Sequence, residues 1–305
     1  MSNLTDKELI NELKRRFEQN KDALKEVQDL NKKLIKVNKK LEDSESLKSH
    51  FISNITNEII NPFTSILALS KNILSVKKEN WKKVFSMVSL IYSEAFILDF
   101  QLRNIFVAAK LEAGEIYPEI SNVDIKHLTE SVIESFKYVA KKKKITTVFN
   151  FNIKTENNKP FFFKTDPEKL RLILSNLLSN AIKFCYENKK IIIEASIDKN
   201  ELVISVKDFG TGISLENQKI IFDRFKRLDS GIDSIHRGHG LGLSINKALL
   251  DLLNGSIDIQ SELGKGTNFT FSIPENESQV SGFAFDGNEL FFDDTEELDI
   301  GSETF

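Results

Sequence analysis

Four separated elements of the 305-residue chain combine carboxamides, carboxylates, basic residues and glycines. They read "NLLSNAIKF" (176–184), "DFGTG" (208–212), "IFDRFKR" (221–227) and "GHGLGLSI" (238–245). An amide oxygen suits Mg²⁺, a hard cation, and glycines that open a helix present amide donors to phosphate oxygens. Each element alone also fits an ordinary structural role, such as an amphipathic helix or a turn after a strand. Their occurrence together and in this order indicates a functional site.

A fifth polar group lies in the segment "ITNEIINPF". The heptad register of this segment puts Asn57 at position f, on the outermost face of a helix, with Glu58 beside it and Asn61 one turn on. Pro62 removes an amide donor, yet the apolar pattern continues beyond it, so a kinked helix is predicted rather than a helix end. The three polar groups are therefore expected to face solvent and any domain that docks there.

Two amphipathic helices are predicted to position that segment. Apolar residues recur at spacings of three and four over residues 52–76 and again over residues 81–109, after the polar link "KKEN". This pattern predicts a helical hairpin. Because one hairpin with two apolar stripes buries its surface poorly, we expect two copies of the chain to form a four-helix bundle.

The register of the first helix extends back without a break to Ile10. Its a and d positions predict a parallel coiled coil over the N-terminal arm. Asn31 and Asn38 occupy successive a positions, where a polar residue lowers stability but favours a paired dimer in one register. A helix on the surface of a monomer is the alternative interpretation.

The pattern changes to strands and amphipathic helices over residues 120–275, as in "KITTVFNFNI", "KKIIIEASID" and "ELVISVKDFG". This change predicts a mixed α/β domain. The remaining tail, from Glu275 onward, carries ten acids and no lysine or arginine, with phenylalanines between the charges. We expect the tail to be flexible and to dock on a partner or on the body of the protein.

Overall composition limits the partners and the compartment. The chain has 42 basic and 45 acidic residues and a net charge of −3, which predicts binding neither to nucleic acid nor to a membrane surface. The run "KKKK" (141–144) is interpreted as complementing the C-terminus of the helix before it. The chain has one cysteine, Cys185, no secretory pattern and no apolar run near the roughly 18 residues of a bilayer span. These features predict a cytoplasmic protein without a direct membrane span.

Over residues 45–275 the chain resembles the sensor histidine kinase family. "NLLSNAIKF" is similar to the asparagine box of that family, and "GHGLGLSI" is similar to its second glycine-rich box. The resemblance implies an α+β protein with four parts. These are a coiled-coil signalling helix (1–46), a dimerisation and phosphoacceptor hairpin (47–118), an α/β sandwich ATPase domain of the gyrase, heat-shock chaperone and histidine kinase type (119–275), and the acidic tail (276–305).

The same resemblance implies that the ATPase domain binds ATP with Mg²⁺. We expect Asn180 to bind Mg²⁺, Lys183 to supply a point charge for the phosphates, and Arg227 to meet developing charge on the γ-phosphate. Asp208 can accept a hydrogen bond from the adenine amino group, and Phe184 can stack on the adenine ring. The full expected nucleotide set is Asn176, Asn180, Lys183, Phe184, Asp208, Gly210, Gly212, Gly238, Gly240 and Gly242, beneath a lid expected between Phe222 and Gly240.

The phosphoacceptor motif departs from the family pattern, which usually reads histidine, glutamate, two variable residues, threonine or asparagine, then proline. Here "NEIINP" puts Asn57 at the histidine position, while Glu58, Asn61 and Pro62 match. A neutral imidazole is a nucleophile that a neighbouring carboxylate can orient, whereas the lone pair of a carboxamide nitrogen is delocalised into its carbonyl. We therefore expect no autophosphorylation at position 57.

The four histidines offer no clear substitute. His50 lies one heptad before the motif on the same face, but Phe51 follows it instead of an acid, so it is interpreted as a surface residue. His127 is expected to have a structural role at a helix start, and His236 and His239 to lie in the mobile lid. His236 and His239 lack neighbours that would complete a metal site.

Two functions stay open from the sequence. Asn57 either replaces the histidine of an otherwise complete kinase, which would pass phosphate to an aspartate of a response regulator, or marks a natural pseudokinase that acts as an ATP-gated dimeric scaffold. In both cases Glu58 and Asn61 could position water for dephosphorylation of a docked regulator. The expected partners are a second copy of the chain, a receiver domain and a sensor on a separate or missing segment.

Overall fold

The computed structural model describes residues 6–76, 80–154, 160–223, 240–277 and 283–284. The chain divides into two compact units, Met1–Asn54 and Ile55–Phe305. Helix α1 (Asp6–Leu74) supplies the whole described part of the first unit and continues into the second.

The predicted coiled-coil positions lie on the surface of α1. Six apolar residues at these positions, Ile10, Leu13, Phe17, Leu24, Val27 and Leu34, are each more than half exposed. A row of this kind on one helix is stabilised when a second helix covers it, because burying each Leu, Ile, Val or Phe side chain contributes about 1.5–3 kcal/mol. The row agrees with the coiled-coil pattern, and the dimer stays a prediction.

We expect the protein to have the mass of a dimer in light scattering at roughly ten micromolar, with or without ATP. The double variant Leu24→Asn, Leu34→Asn should weaken the dimer because it removes one apolar a residue and one apolar d residue from the predicted interface. Lys25→Gln and Lys32→Gln, outside the a and d positions, provide the control. A monomer at that concentration would contradict both the coiled coil and the bundle.

The second unit begins with the end of α1 and helix α2 (Trp81–Ala113). Helix α1 continues through Pro62, which is buried. By length and composition α2 could cross a membrane, a possibility that the sequence analysis missed. Core helices of soluble proteins pass the same test, and Phe96 and Phe100 of α2 instead pack edge-on against Phe136 of the following domain, with ring centroids 5.1 and 5.7 Å away.

In the described residues of the second unit, eight strands and four further helices follow α2. In chain order they are β1 (Ser121–Asp124), α3 (Ile125–Lys142), β2 (Thr146–Phe151), β3 (Phe162–Thr165), α4 (Pro167–Phe184), β4 (Lys190–Asp198), β5 (Glu201–Lys207), α5 (Leu215–Gln218), α6 (Gly242–Leu252), β6 (Ser256–Glu262), β7 (Gly266–Pro274) and β8 (Phe283–Ala284). The mixed α/β composition predicted for this region is confirmed.

A five-stranded sheet in the order β2-β4-β5-β7-β6 forms one layer of this domain. β2 and β4 are parallel, and the other neighbours are antiparallel. Alternate residues of the three central strands are buried, as expected for a sheet with one covered face. Helices α3, α4 and α6 contribute the other half of the core, including Leu128, Leu170, Ile173, Leu177 and Leu249. The site elements α4 and α6 are therefore anchored on the core.

A small second sheet has the order β3-β1-β8. β8 comes from the acidic tail and pairs in parallel with β1, with Phe283 opposite Asn122 and Ala284 opposite Val123. This pairing agrees with the prediction that the tail docks on the body of the protein. Apart from this strand and residues 276–277, the tail residues that were predicted to be flexible lie outside the described part of the chain.

Candidate nucleotide site

Helix α4 carries four of the expected site residues and has a strong start signal. Asp166 caps its N-terminus by accepting from the Lys169 backbone N–H at 2.9 Å, and Pro167 occupies the first helical turn. The same buried carboxylate binds Lys169 Nζ at 2.6 Å and the Glu119 backbone N–H at 2.6 Å. These contacts fix the beginning of α4 against the segment that enters the domain.

The C-terminal end of α4 is held by Lys143, the residue that caps the C-terminus of α3. Lys143 Nζ donates to the carbonyl oxygens of Ile182 and Lys183, at 3.0 and 2.6 Å. A cation at a helix C-terminus typically contributes about 0.3–1 kcal/mol. The sequence predicts that "KKKK" complements the helix before it, and the structure shows that Lys143 also bonds the helix that bears the site.

Asp208 is the most perturbed carboxylate of the site. It follows β5, is 5 % exposed, and its Oδ1 accepts from the Gly210 backbone N–H at 2.9 Å. Burial raises the pKa of Asp208 from 3.8 to about 6, although backbone hydrogen bonds from Gly210 and Thr267 act in the opposite direction. The structure therefore provides a buried acceptor that loses its charge slightly below neutral pH, as active-site carboxylates often do.

Two glycines of "DFGTG" are required by close backbone contacts. A Cβ on Gly210 would overlap the Phe184 carbonyl, and one on Gly212 would overlap the Glu262 carbonyl. Gly212 also has a φ of +66°, in the left-handed region. The loop therefore packs between the end of α4 and the β6–β7 turn, and the Thr211 backbone N–H donates to the Phe184 carbonyl at 3.2 Å.

Gly210→Ala is expected to lower the melting temperature and to weaken nucleotide binding by about tenfold or more, because the overlap with Phe184 must push the loop away from α4. Gly264→Ala is the matched control: its φ of +79° makes it strained, but no atom lies within 4 Å of the added methyl group. Thermal unfolding and titration with a fluorescent ATP analogue measure both effects. Equal losses of stability and nucleotide affinity in the two variants would contradict a specific effect of the overlap with the Phe184 carbonyl.

Asn176 links α4 to the helix that follows the glycine-rich segment. Its Nδ2 donates to Asn246 Oδ1 at 2.9 Å and lies 3.5 Å from the Gly242 carbonyl oxygen. A Cβ on Gly242 would come 3.3 Å from Asn176 Oδ1, so a larger residue there would crowd this amide. Helix α6 begins at Gly242, as expected for a segment that presents amide donors at a helix start.

The remaining site residues lie on the partly exposed end of α4. Asn180, Lys183 and Phe184 are half-buried, and Lys183 Nζ lies 4.9 Å from the centroid of the Phe184 ring. Gly240 has a φ of +68° just before α6. Gly238 and Arg227 fall outside the described residues, together with His236, His239 and most of the expected lid.

The phosphoacceptor segment lies in α1. Asn61 is exposed and Pro62 is buried, in agreement with the predicted faces. The backbone of Asn57 and Glu58 is helical, but their side chains lie outside the described part of the structure. The exposure predicted for those two side chains stays a prediction.

Several residues that shape the site were missed from the sequence. Asn246, Lys143 and Gln218 act through contacts distant in sequence, such as the bond from Gln218 Nε2 to the carbonyl oxygen of Ser261 (2.9 Å). Asp166 could have been found from the pair "DP", an N-cap followed by proline at a helix start. Among the residues described, no cluster of three or more His, Cys, Asp or Glu side chains could hold a metal.

The residues present fit Mg·ATP in three respects. Asn176 and Asn180 place two carboxamides one turn apart on α4, and carboxamide oxygens are suitable magnesium ligands. Gly242 keeps the space beside Asn176 free of a side chain. The Asp208 carboxylate offers a hydrogen-bond acceptor beside Gly210, where any side chain would overlap the Phe184 carbonyl.

Comparison with known proteins gives consistent matches. Residues 165–277 match the family of histidine kinase-, DNA gyrase B-, and HSP90-like ATPases. The chain is 29 % identical over 266 residues to the circadian input-output histidine kinase CikA of Synechocystis sp., covering 83 % of this chain and 35 % of that protein. It is 32 % identical over 236 residues to the sensor protein EvgS of Escherichia coli, covering 76 % of this chain and 19 % of that protein.

A solved structure of full-length ShkA in complex with AMPPNP is also similar, with a TM-score of 0.52 and 25 % identity. The match covers 77 % of this chain and 47 % of ShkA. The chain therefore spans between about a fifth and a half of the length of these three proteins.

Proposed function

Because the chain belongs to the sensor histidine kinase family, we propose that it is the dimeric core of a two-component kinase that binds Mg·ATP. With a histidine at position 57, this core would accept the γ-phosphoryl group there and pass it to an aspartate of a response regulator. With Asn57 the chain lacks that acceptor. The observation that carries the proposal is the junction of Asp208, Gly210 and Phe184 beside the carboxamides of α4.

Each described residue has a proposed task in nucleotide binding. The Asp208 carboxylate accepts a hydrogen bond from the adenine amino group, and its buried position makes that bond selective for a donor. Asn180, with Asn176 one turn earlier, would hold Mg²⁺, which supplies charge neutralisation on the phosphate oxygens. Lys183 adds a mobile positive charge, and the start of α6 offers backbone donors to the phosphates.

The residues outside the described part keep their expected tasks in this proposal. Arg227 would meet charge on the γ-phosphate, and Gly238 would belong to the phosphate-binding segment that continues to Gly242. Phosphoryl transfer depends mainly on positioning and electrostatics, so a site with these groups needs only a suitable nucleophile. Glu58 would orient a histidine at position 57 and take its proton.

Partners follow from the same proposal. A second copy of the chain would complete the helical bundle, a receiver domain would dock beside Asn61, and a sensor would act from a separate or adjoining segment. The core would work in the cytoplasm, where ATP is available. ShkA, whose structure contains AMPPNP, gives a precedent for a similar chain that binds an ATP analogue.

The asparagine at position 57 favours a second candidate function. A chain that keeps its nucleotide site but has a carboxamide at the acceptor position could act as an ATP-gated scaffold. The exposed Asn61 could also take part in dephosphorylation of a regulator without any phosphorylated histidine. Phosphate incorporation by an Asn57→His variant separates the kinase from the scaffold.

A further inference from the structure

Asn246 is a fully buried carboxamide on α6, with 0 % of its surface exposed. Burying an amide without partners costs about 1–3 kcal/mol in proteins, so its hydrogen bonds must be accounted for. Its Nδ2 donates to the Ile173 carbonyl oxygen at 3.1 Å, and its Oδ1 accepts from Asn176 Nδ2 at 2.9 Å. Both partners lie on α4, which makes Asn246 a polar link between the two helices of the site.

The orientation of this amide pair is determined by backbone carbonyls at its two ends. The Ile173 carbonyl can only accept, so Asn246 must present its nitrogen there and its oxygen to Asn176. Asn176 must then present its nitrogen to Asn246. The Gly242 carbonyl oxygen, 3.5 Å from the same nitrogen, requires the same orientation. Reversing either amide would bring two acceptors together.

Because of this orientation, Oδ1 is the side-chain atom of Asn176 that can face a ligand. Both acceptors around its Nδ2 belong to α6, so Oδ1 becomes the polar atom available to the nucleotide complex. An oxygen in this role accepts from a water bound to Mg²⁺ or binds the cation itself. A nitrogen in the same place would repel the cation.

We propose that Asn246 is a positioning residue for Mg·ATP: it holds Asn176 with its oxygen toward the magnesium-bound phosphates and ties α4 to α6. The inference rests on the proposed function of the site. It assigns to Asn246 a task that the sequence motifs did not reveal. A purely structural pair would support the fold without distinguishing nucleotide alone from nucleotide with Mg²⁺.

The test uses Asn246→Leu, which keeps the size of the side chain and removes both hydrogen bonds. Ser244→Ala is the matched control, because Ser244 is buried on the same helix and its hydroxyl donates to the Leu241 carbonyl at 2.9 Å, within α6 and its N-cap. Affinity for a fluorescent ATP analogue is measured with Mg²⁺ and with a chelator, together with the melting temperature. The full chain is used throughout.

Asn246→Leu is expected to weaken binding with Mg²⁺ by about tenfold, while binding in the presence of chelator changes by less than about twofold. Ser244→Ala should leave both affinities unchanged. Adding Asn246→Leu to Asn176→Ala should cause little further loss, because the two residues act as one unit. Equal losses with and without Mg²⁺, or no loss, would overturn the proposal.

A second measurement does not depend on the folding of a variant. In the unsubstituted ¹⁵N-labelled chain, the side-chain NH₂ protons of Asn176 should exchange slowly with water and should remain protected when Mg·ATP analogue binds. Rapid exchange, or loss of protection on binding, would show that the nitrogen is not held by α6. If the unsubstituted chain bound no nucleotide, the proposed function and this inference would both fall. If it bound but Asn246→Leu had no effect, only the inference would fall.

Discussion

The Asn57→His variant is expected to incorporate phosphate from radiolabelled ATP, in a form that is labile to acid and stable to alkali, whereas the unsubstituted chain should incorporate none. An imidazole at position 57 supplies the nucleophile that a carboxamide cannot, and Glu58 is placed to orient it. This is the largest effect we expect, because a reaction appears at a position where the unsubstituted chain has no acceptor. Scintillation counting after gel separation measures it.

Two further variants make this experiment specific. Asn57→His combined with Glu58→Gln should be labelled more slowly by about 10²- to 10⁴-fold, the usual contribution of a positioned general base. Asn57→His combined with Asp208→Ala should not be labelled, because the nucleotide would not be held. If Asn57→His alone stays unlabelled while ATP still binds, the ATP-gated scaffold becomes the better account. Labelling of the unsubstituted chain would direct attention to His50.

Asp208→Asn is expected to have opposite effects on binding and on stability. Hydrogen bonds to a charged acceptor contribute about 1.5–3 kcal/mol, so replacing the carboxylate should weaken ATP binding by about tenfold or more. The folded protein should become more stable at pH about 7.5, because the pKa of about 6 shows that burial disfavours the charged form. Calorimetry of binding and thermal unfolding measure the two effects.

The sign of the pH dependence follows from the raised pKa of Asp208. The folded state holds this proton up to about pH 6, whereas the group in an unfolded chain releases it near 3.8. As the pH falls through 6, the buried Asp208 takes up its proton and the free energy of unfolding rises. Above pH 6 the folded state bears the full cost of the buried charge, which lowers the free energy of unfolding. The stability gain of Asp208→Asn should shrink on going from pH about 7.5 to about 5.

Binding should change with pH in the other direction. Protonation removes the charged acceptor, so the affinity of the unsubstituted chain for ATP should fall below about pH 6 and that of Asp208→Asn should change less. Asp258→Asn, at an exposed position of β6, is the control and should alter neither property. Tight binding by Asp208→Asn at every pH would place the adenine elsewhere.

The sequence predicted those features that depend on local pattern. Alternation in "KKIIIEASID" and the glycine content of "DFGTG" gave β4 and the turn after β5, since period two and backbone freedom are properties of short segments. The spacing of Asn176 and Asn180 placed both on one helix. The family resemblance then supplied their joint role.

The features that could not be predicted depend on contacts between distant segments. β7 lies between β5 and β6 in the sheet, an order that no local signal specifies. The orientation of Asn176 depends on Asn246, which is 70 residues away in sequence. Lys143 stabilises α4 rather than only its own helix, because its reach depends on how α3 and α4 pack.

The pairing of β8 with β1 has a practical consequence for the choice of fragments. β1 lies between β3 and β8, so a chain ending at Pro274 would leave one side of β1 without the neighbour it has here. Unpaired strand edges promote association between molecules. A fragment prepared for crystallisation or binding assays should therefore extend past Ala284, since a shorter one would be expected to self-associate for reasons unrelated to the coiled coil.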